Sequence, residues 1–118
     1  MKLSGEGKLL RIFIGELDHY KHQSLFEVIV RKAREEGLAG ATVLRGVMGY
    51  GAASRVIHTA KILQLSEDLP FVIEIVDTEE KIKSFIPIVD QLFEETGCGG
   101  MLTIEKADII KYTHGKRP

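Results

Sequence analysis

The apolar positions of this chain change period along its length, and the changes mark out the elements. Residues 9–15, Leu-Leu-Arg-Ile-Phe-Ile-Gly, form a near-continuous apolar run of strand length and predict a buried strand. Over 24–36 the period lengthens. Phe26, Ile29, Val30 and Ala33 fall at i, i+3, i+4 and i+7 with charges between them, which predicts a helix ended by Gly37. Residues 40–46 predict a second strand centred on Thr42, Val43 and Leu44, and residues 71–76, Phe-Val-Ile-Glu-Ile-Val, a third. A second helix follows, with Ile82, Phe85, Ile86, Val89, Leu92 and Phe93 as its apolar stripe. Asp77 is expected to cap it with Glu80 in the capping-box position, Pro87 to kink it near Lys83, and Gly97 to stop it. Residues 101–106 predict a fourth strand, and Ile109 to Tyr112 a short fifth.

The order β-α-β-β-α-β predicts an α+β fold: a ferredoxin-like antiparallel sheet with two helices on one face. Right-handed crossovers make the first two strands parallel and the third opposite to them. Three connections then share one rim: Glu16 to Gln23, strand two to strand three, and helix two to strand four. The second of these, Val47 to Pro70, is far longer than a hairpin loop, and Ala53, Val56, Ile57, Ala60 and Leu63 recur in it at helical spacing. An extra short helix is predicted from Ala52 to Leu65, with Gly51 at its start.

The same rim gathers two glycine-rich turns, Gly46-Val47-Met48-Gly49-Tyr50-Gly51 and Gly97-Cys98-Gly99-Gly100. Glycine reaches positive φ and lets a backbone approach a ligand closely. Gly46, Gly49 and Gly51 therefore either release an edge strand into a helix or cradle an anion at that helix's N-terminus, with Ser54 and Arg55 in its first turn. Gly97 to Gly100 is either a helix cap with a tight turn or the second half of the same cradle. Cys98 lies among these glycines at an expected exposed position, with no paired base to make it a nucleophile. Arg55, His58 and Lys61 fall three apart, either as a solvated helix face or as a basic strip. Glu16, Asp18, His19, Lys21 and His22 crowd the first rim loop. They read either as a hydrophilic loop or, through Glu16, Asp18, His19 and His22, as ligands for a divalent metal. The sequence contains no HExxH, paired CxxC or GxSxG, and no catalytic pair is expected, so the chain reads as a binding module and not as an enzyme.

Composition narrows the setting. The 118 residues suit one domain, with 1–7 and 113–118 as flexible tails that include His114. A net charge of -1 from 16 basic and 17 acidic residues gives no reason to expect nucleic acid or an anionic membrane as partner. A single cysteine rules out an intrachain disulfide and suggests a reducing compartment. With no apolar signal core and no run of membrane-spanning length, a cytoplasmic location and no membrane insertion are expected.

Leu38-Ala39-Gly40-Ala41-Thr42-Val43-Leu44-Arg45-Gly46, continuing to Gly49-Tyr50-Gly51, resembles an uncharacterised domain-of-unknown-function family of the PII-like group. The segments Ile14-Gly15-Glu16 and Ser66-Glu67-Asp68-Leu69-Pro70 share that likeness, which covers nearly the whole chain. The resemblance implies a small cytoplasmic homotrimer. More distantly, Gly49-Tyr50-Gly51 is similar to the base of the mobile loop in PII signalling proteins. Thr96-Gly97-Cys98-Gly99-Gly100 is similar to their phosphate-contacting glycine loop. In those proteins an Asp stands between the last glycines and a lysine follows; here the Asp is missing and Met101-Leu102 follows, while Lys111, Lys116 and Arg117 match their C-terminal basic residues loosely. The resemblance implies a small anionic ligand, a nucleotide among the candidates, bound in clefts between subunits, and a regulated protein partner. The alternative on the same scaffold is a metal sensor or tolerance protein.

Overall fold

The computed structural model describes residues 5–52, 54–58 (as backbone) and 68–116. Ten elements follow one another: β1 (Gly5–Gly15), β2 (His19–Tyr20), β3 (Gln23–Ser24), α1 (Leu25–Glu35), β4 (Thr42–Arg45), β5 (Gly49–Gly51), β6 (Ser54–His58), β7 (Pro70–Asp77), α2 (Glu79–Thr96) and β8 (Met101–Ile109). Four strands make the main sheet in the order β4-β7-β1-β8, and every neighbouring pair is antiparallel. This is the expected ferredoxin-like arrangement, with β1 and β4 parallel and β7 opposite to both.

Alternation along the two central strands divides the sheet into two faces. Leu10, Ile12 and Ile14 of β1 stand opposite Ile75, Ile73 and Phe71 of β7, and all six are buried. Leu25, Val28, Ile29 and Ala33 of α1 pack into the same core, as do Ile82, Phe85, Val89 and Leu92 of α2. Helical spacing on one side and period two on the other thus meet in a single apolar layer. The opposite face carries Leu9, Arg11 and Phe13 of β1 beside Val76, Glu74 and Val72 of β7, and among the described residues no helix covers it. Leu44 and Met101 remain 48% and 53% exposed on this outer face. At its centre Arg11 donates from Nε to Glu74 at 3.0 Å and from Nη1 to Glu105.

The helix ends follow from local chemistry. Gly37, at φ +79°, closes α1 in a two-bond C-terminal motif: its N–H donates to Arg34 O and that of Leu38 to Ala33 O. Gly97, at φ +71°, closes α2 and donates to Phe93 O. Helix α2 continues through Pro87.

Four expectations are corrected. The cap of α2 is Thr78, whose Oγ1 accepts from Lys81 N at 3.3 Å. Asp77 ends the inward-facing series 71, 73, 75 and is fully buried, its carboxylate accepting from Ala39 N at 2.8 Å and Thr78 N at 2.6 Å. Where a helix was expected from Ala52 to Leu65, Ser54–His58 is a strand paired with β5; the remainder, Ala53 and 59–65, lies outside the described residues. Val56 and Ile57 are β-branched and prefer a strand. Gly5 to Gly7, expected in a flexible tail, pair with Ile109, Asp108 and Ala107. Finally, β8 runs on to Ile109 and no separate strand follows; Tyr112 instead donates its hydroxyl to Ala39 O at 3.1 Å.

Candidate functional site

The rim is tied together where β1 and β4 end and β7 begins. Glu16 N donates to Leu69 O at 2.8 Å, Gly46 N to Pro70 O at 2.7 Å, and Leu17 N to the Asp68 carboxylate at 3.2 Å. A side chain at Gly46 would place Cβ 2.9 Å from Pro70 Cγ, so glycine is required there by packing. Gly49, at φ +148°, is required by conformation. These two turn the chain from β4 into the β5–β6 hairpin.

The second glycine turn meets that hairpin directly. A Cβ on Gly99 would lie 2.7 Å from Ala52 O. A Cβ on Gly100 would lie 2.8 Å from both Phe13 O and Phe93 Cζ. Main chain therefore packs on main chain, and the juxtaposition expected from topology is present. Around the contact opens a cleft of about 290 Å³, with Phe13, Tyr50, Gly51, Pro70, Gly100 and Met101 among its walls. Tyr50 is 70% exposed at its mouth. Among the described residues an added Cβ on Gly51 would meet nothing within 4 Å, so this glycine leaves open space in the described wall.

The other expected residues divide. Gly97 and Cys98 face a separate depression beside Asp90 and Glu94. Cys98 is half-buried and packs against the core, its N–H held by Thr96 Oγ1 at 3.1 Å. Ser54 and Arg55 belong to a strand, so no helix N-terminus begins at them.

In the first rim loop each acid has its own partner. Glu16 Oε1 accepts from Arg45 Nε and Nη2, both at 3.3 Å, and from Leu69 N at 3.4 Å. Asp18 Oδ2 accepts from Gly15 N at 2.9 Å. Burial holds the Asp18 carboxyl above its ordinary range, the Gly15 N–H partly opposing that shift. His19 Nδ1 contacts Leu17 O, and His22 stands exposed in the turn between β2 and β3. Among the described residues no three His, Cys, Asp or Glu side chains gather as a metal would require.

Phe13, Pro70 and Met101 line the cleft although the sequence reading did not mark them as site residues. Their signal was positional: each stands at or near the rim end of its strand, beside a glycine turn.

The DUF190 family model, described as Uncharacterized ACR, COG1993, matches residues 7–109. The chain belongs to the DUF190 family. It is similar to a UPF0166 protein of Aquifex aeolicus (strain VF5), at 38% identity over 87% of this chain and 92% of that one. It is also similar to the UPF0166 protein MJ1524 of Methanocaldococcus jannaschii, at 33% identity over 90% and 94%. Among solved structures it resembles CPII, a nitrogen regulatory PII-like protein from Thiomonas intermedia K12 bound to ADP, AMP and bicarbonate. That likeness has a TM-score of 0.66 and 15% identity, over 90% of each chain. A chain described as a PII-like signaling protein (TTHA0516) from Thermus thermophilus gives 0.60 and 18%, over 93% and 94%. At these identities the likeness establishes the fold: this DUF190 chain has the PII-like form of the ferredoxin-like architecture. No described helix is long and apolar enough to cross a membrane.

Proposed function

We propose that this chain is a cytoplasmic PII-like regulatory module. It binds a small anionic ligand, with a nucleotide the best fit, in the glycine-rimmed cleft between subunits of a homotrimer. The observation that carries this reading is the meeting of both glycine turns at one cleft. Phe13, Tyr50, Pro70 and Met101 give it apolar walls suited to a flat base, and base–aromatic stacking contributes about 1–3 kcal/mol. Backbone N–H groups of the turns would face the phosphates. The uncovered outer face of the sheet supports assembly, and the ADP and AMP bound to CPII support the ligand class. Ligand occupancy would bias the Val47–Pro70 segment and so a protein partner's contact. This is a binding role, with no catalytic residues assigned.

Thermal shift with ADP, AMP, ATP, bicarbonate and divalent cations tests it. A ligand specific for the folded state stabilises by about 2.7 kcal/mol at 100 times its Kd. A nucleotide is expected to raise Tm, and Gly51→Val, which fills the open wall, is expected to abolish that rise without lowering its own Tm. A nucleotide shift that is absent, or undiminished in Gly51→Val, overturns the reading. A selective metal shift would instead favour the Glu16, Asp18, His19 and His22 alternative.

A further inference from the structure

Glu16 belongs to the loop that the sequence offers as a metal site, yet in the structure its carboxylate is committed to protein donors. Its Oε1 accepts from Arg45 Nε and Nη2, both at 3.3 Å, and from Leu69 N at 3.4 Å. Its own N–H donates to Leu69 O at 2.8 Å. One residue thus holds the last residue of β4 and the residue before β7 at a single point.

These contacts close a ring. Arg45 is bonded to Gly46, Gly46 N donates to Pro70 O at 2.7 Å, and Pro70 is bonded to Leu69, which returns to Glu16. Leu69 is buried, so its N–H turns to the carboxylate where little water reaches. A charged acceptor serves such a donor better than a neutral one. Arg45 stands opposite Phe71 on the helix face, whereas Pro70, one residue earlier, lies on the outer face. Pro70 is the member of the ring that meets the cleft; Glu16, Arg45 and Leu69 lie outside its lining. A Cβ on Gly46 would lie 2.9 Å from Pro70 Cγ, and one on Gly49 3.3 Å from the same atom. The proline ring is therefore the surface on which the first glycine turn packs, and Tyr50 follows directly in the chain.

We propose that Glu16 is a positioning residue for the ligand cleft: by joining Arg45 to Leu69 it fixes Pro70 and, through Pro70, the first glycine turn. The inference rests on the binding role proposed above and deepens it by naming what holds the cleft in its binding shape. The role needs reach as well as charge. Aspartate is shorter by one carbon–carbon bond, about 1.5 Å, and cannot meet both Arg45 and Leu69. Glutamine keeps the length and an oxygen acceptor.

ADP titration by calorimetry tests this, with far-UV spectra showing that each variant is folded. Glu16→Ala and Glu16→Asp are expected to weaken ADP about ten-fold or more, and Glu16→Gln by no more than about three-fold. Arg45→Ala, at a side chain 53% exposed, opens the ring from its other side and is expected to weaken ADP in the same direction. If Glu16→Ala does not fold, Glu16→Asp and Arg45→Ala carry the comparison. Hydrogen exchange supplies a readout that a general loss of stability would not move. In Glu16→Ala the Leu69 and Gly46 amides are expected to speed up about ten-fold more than those of Ile12 and Ile73, whose exchange follows global unfolding. Native ADP affinity in Glu16→Ala overturns the positioning role and leaves the binding role standing. So does full recovery in Glu16→Asp, since charge without reach would then suffice. Leu69 and Gly46 amides that speed up no more than the core overturn the ring whatever ADP does. A native chain that does not bind ADP overturns the binding role and the positioning role with it.

Discussion

Gly100 and Gly51 line one cleft, but the structure assigns them opposite sensitivities. An added Cβ on Gly100 falls 2.8 Å from Phe13 O, which belongs to the central strand, and 2.8 Å from the Phe93 ring. The ring can swing; the carbonyl cannot move without disturbing the β1 ladder. Overpacking of this kind costs about 1–3 kcal/mol. Replacing a glycine by alanine also restricts the unfolded chain, which returns roughly 0.4–1 kcal/mol. Gly100→Ala is therefore expected to lose about 1–2 kcal/mol net. Gly51 has no positive φ and, among the described residues, no neighbour within 4 Å of an added Cβ, so Gly51→Ala keeps only the gain. Unfolding entropy of about 2.1 cal/mol/K per residue gives roughly 0.25 kcal/mol/K for 118 residues, or about 4 °C per kcal/mol. Tm should fall by about 4–8 °C in Gly100→Ala and rise by about 2–4 °C in Gly51→Ala. Calorimetry at one fixed protein concentration reads both, since assembly would make Tm concentration-dependent. If Gly100→Ala is as stable as the native chain, or Gly51→Ala falls equally far, the packing assignment of the second glycine turn is wrong.

Two further expectations concern the ends of β7 and β1. Asp77→Ala removes the acceptor of two N–H groups and should cost about 2–6 kcal/mol in urea unfolding, counting about 1–3 for each orphaned donor. Thr78→Ala loses only a cap, typically about 1 kcal/mol; equal costs would contradict the division of roles between the two residues. Asp18 titrates with a folded pKa raised by burial, so its favourable contribution is complete below the ordinary carboxylate range and is lost as pH rises through the folded value. Asp18→Asn, which retains an acceptor for Gly15 N, should accordingly gain stability relative to the native chain between pH 3 and pH 7. A difference that stays flat with pH would refute the burial of this carboxyl.

The sheet, both principal helices and the strand order were legible because β1, α1, β7 and α2 each bury one regular face. Period alone identifies such elements. Reading failed where the sequence pattern is short or mixed. The helix expected after Gly51 rested on a few apolar positions in a glycine-flanked stretch, and two β-branched residues there, Val56 and Ile57, suit the strand that forms. Strands β2 and β3 have two residues each and carry no period to detect. The far half of β8, Glu105-Lys106-Ala107-Asp108-Ile109, carries three charges at a sheet edge, and its partners Gly5 to Gly7 bring no apolar signal of their own. Asp77 could have been placed correctly. Strict alternation from Phe71 points it inward, and only its likeness to a helix cap drew it out. The rim was legible through topology, whereas the cleft walls Phe13, Pro70 and Met101 became visible only when the two turns were seen to touch.

Under the proposed binding role, that contact also constrains how this cleft could change its selectivity. Where Gly99 and Gly100 approach Ala52 O and Phe13 O, the surface is peptide groups, which are the same whatever sequence is written there. Substitution can spoil such a floor but cannot retune it. Any lineage or engineer seeking a different ligand must work through Tyr50, Met101, Pro70 and the space at Gly51. A handful of side chains then carries the heritable variation in what is recognised, above a foundation that point mutation cannot usefully alter.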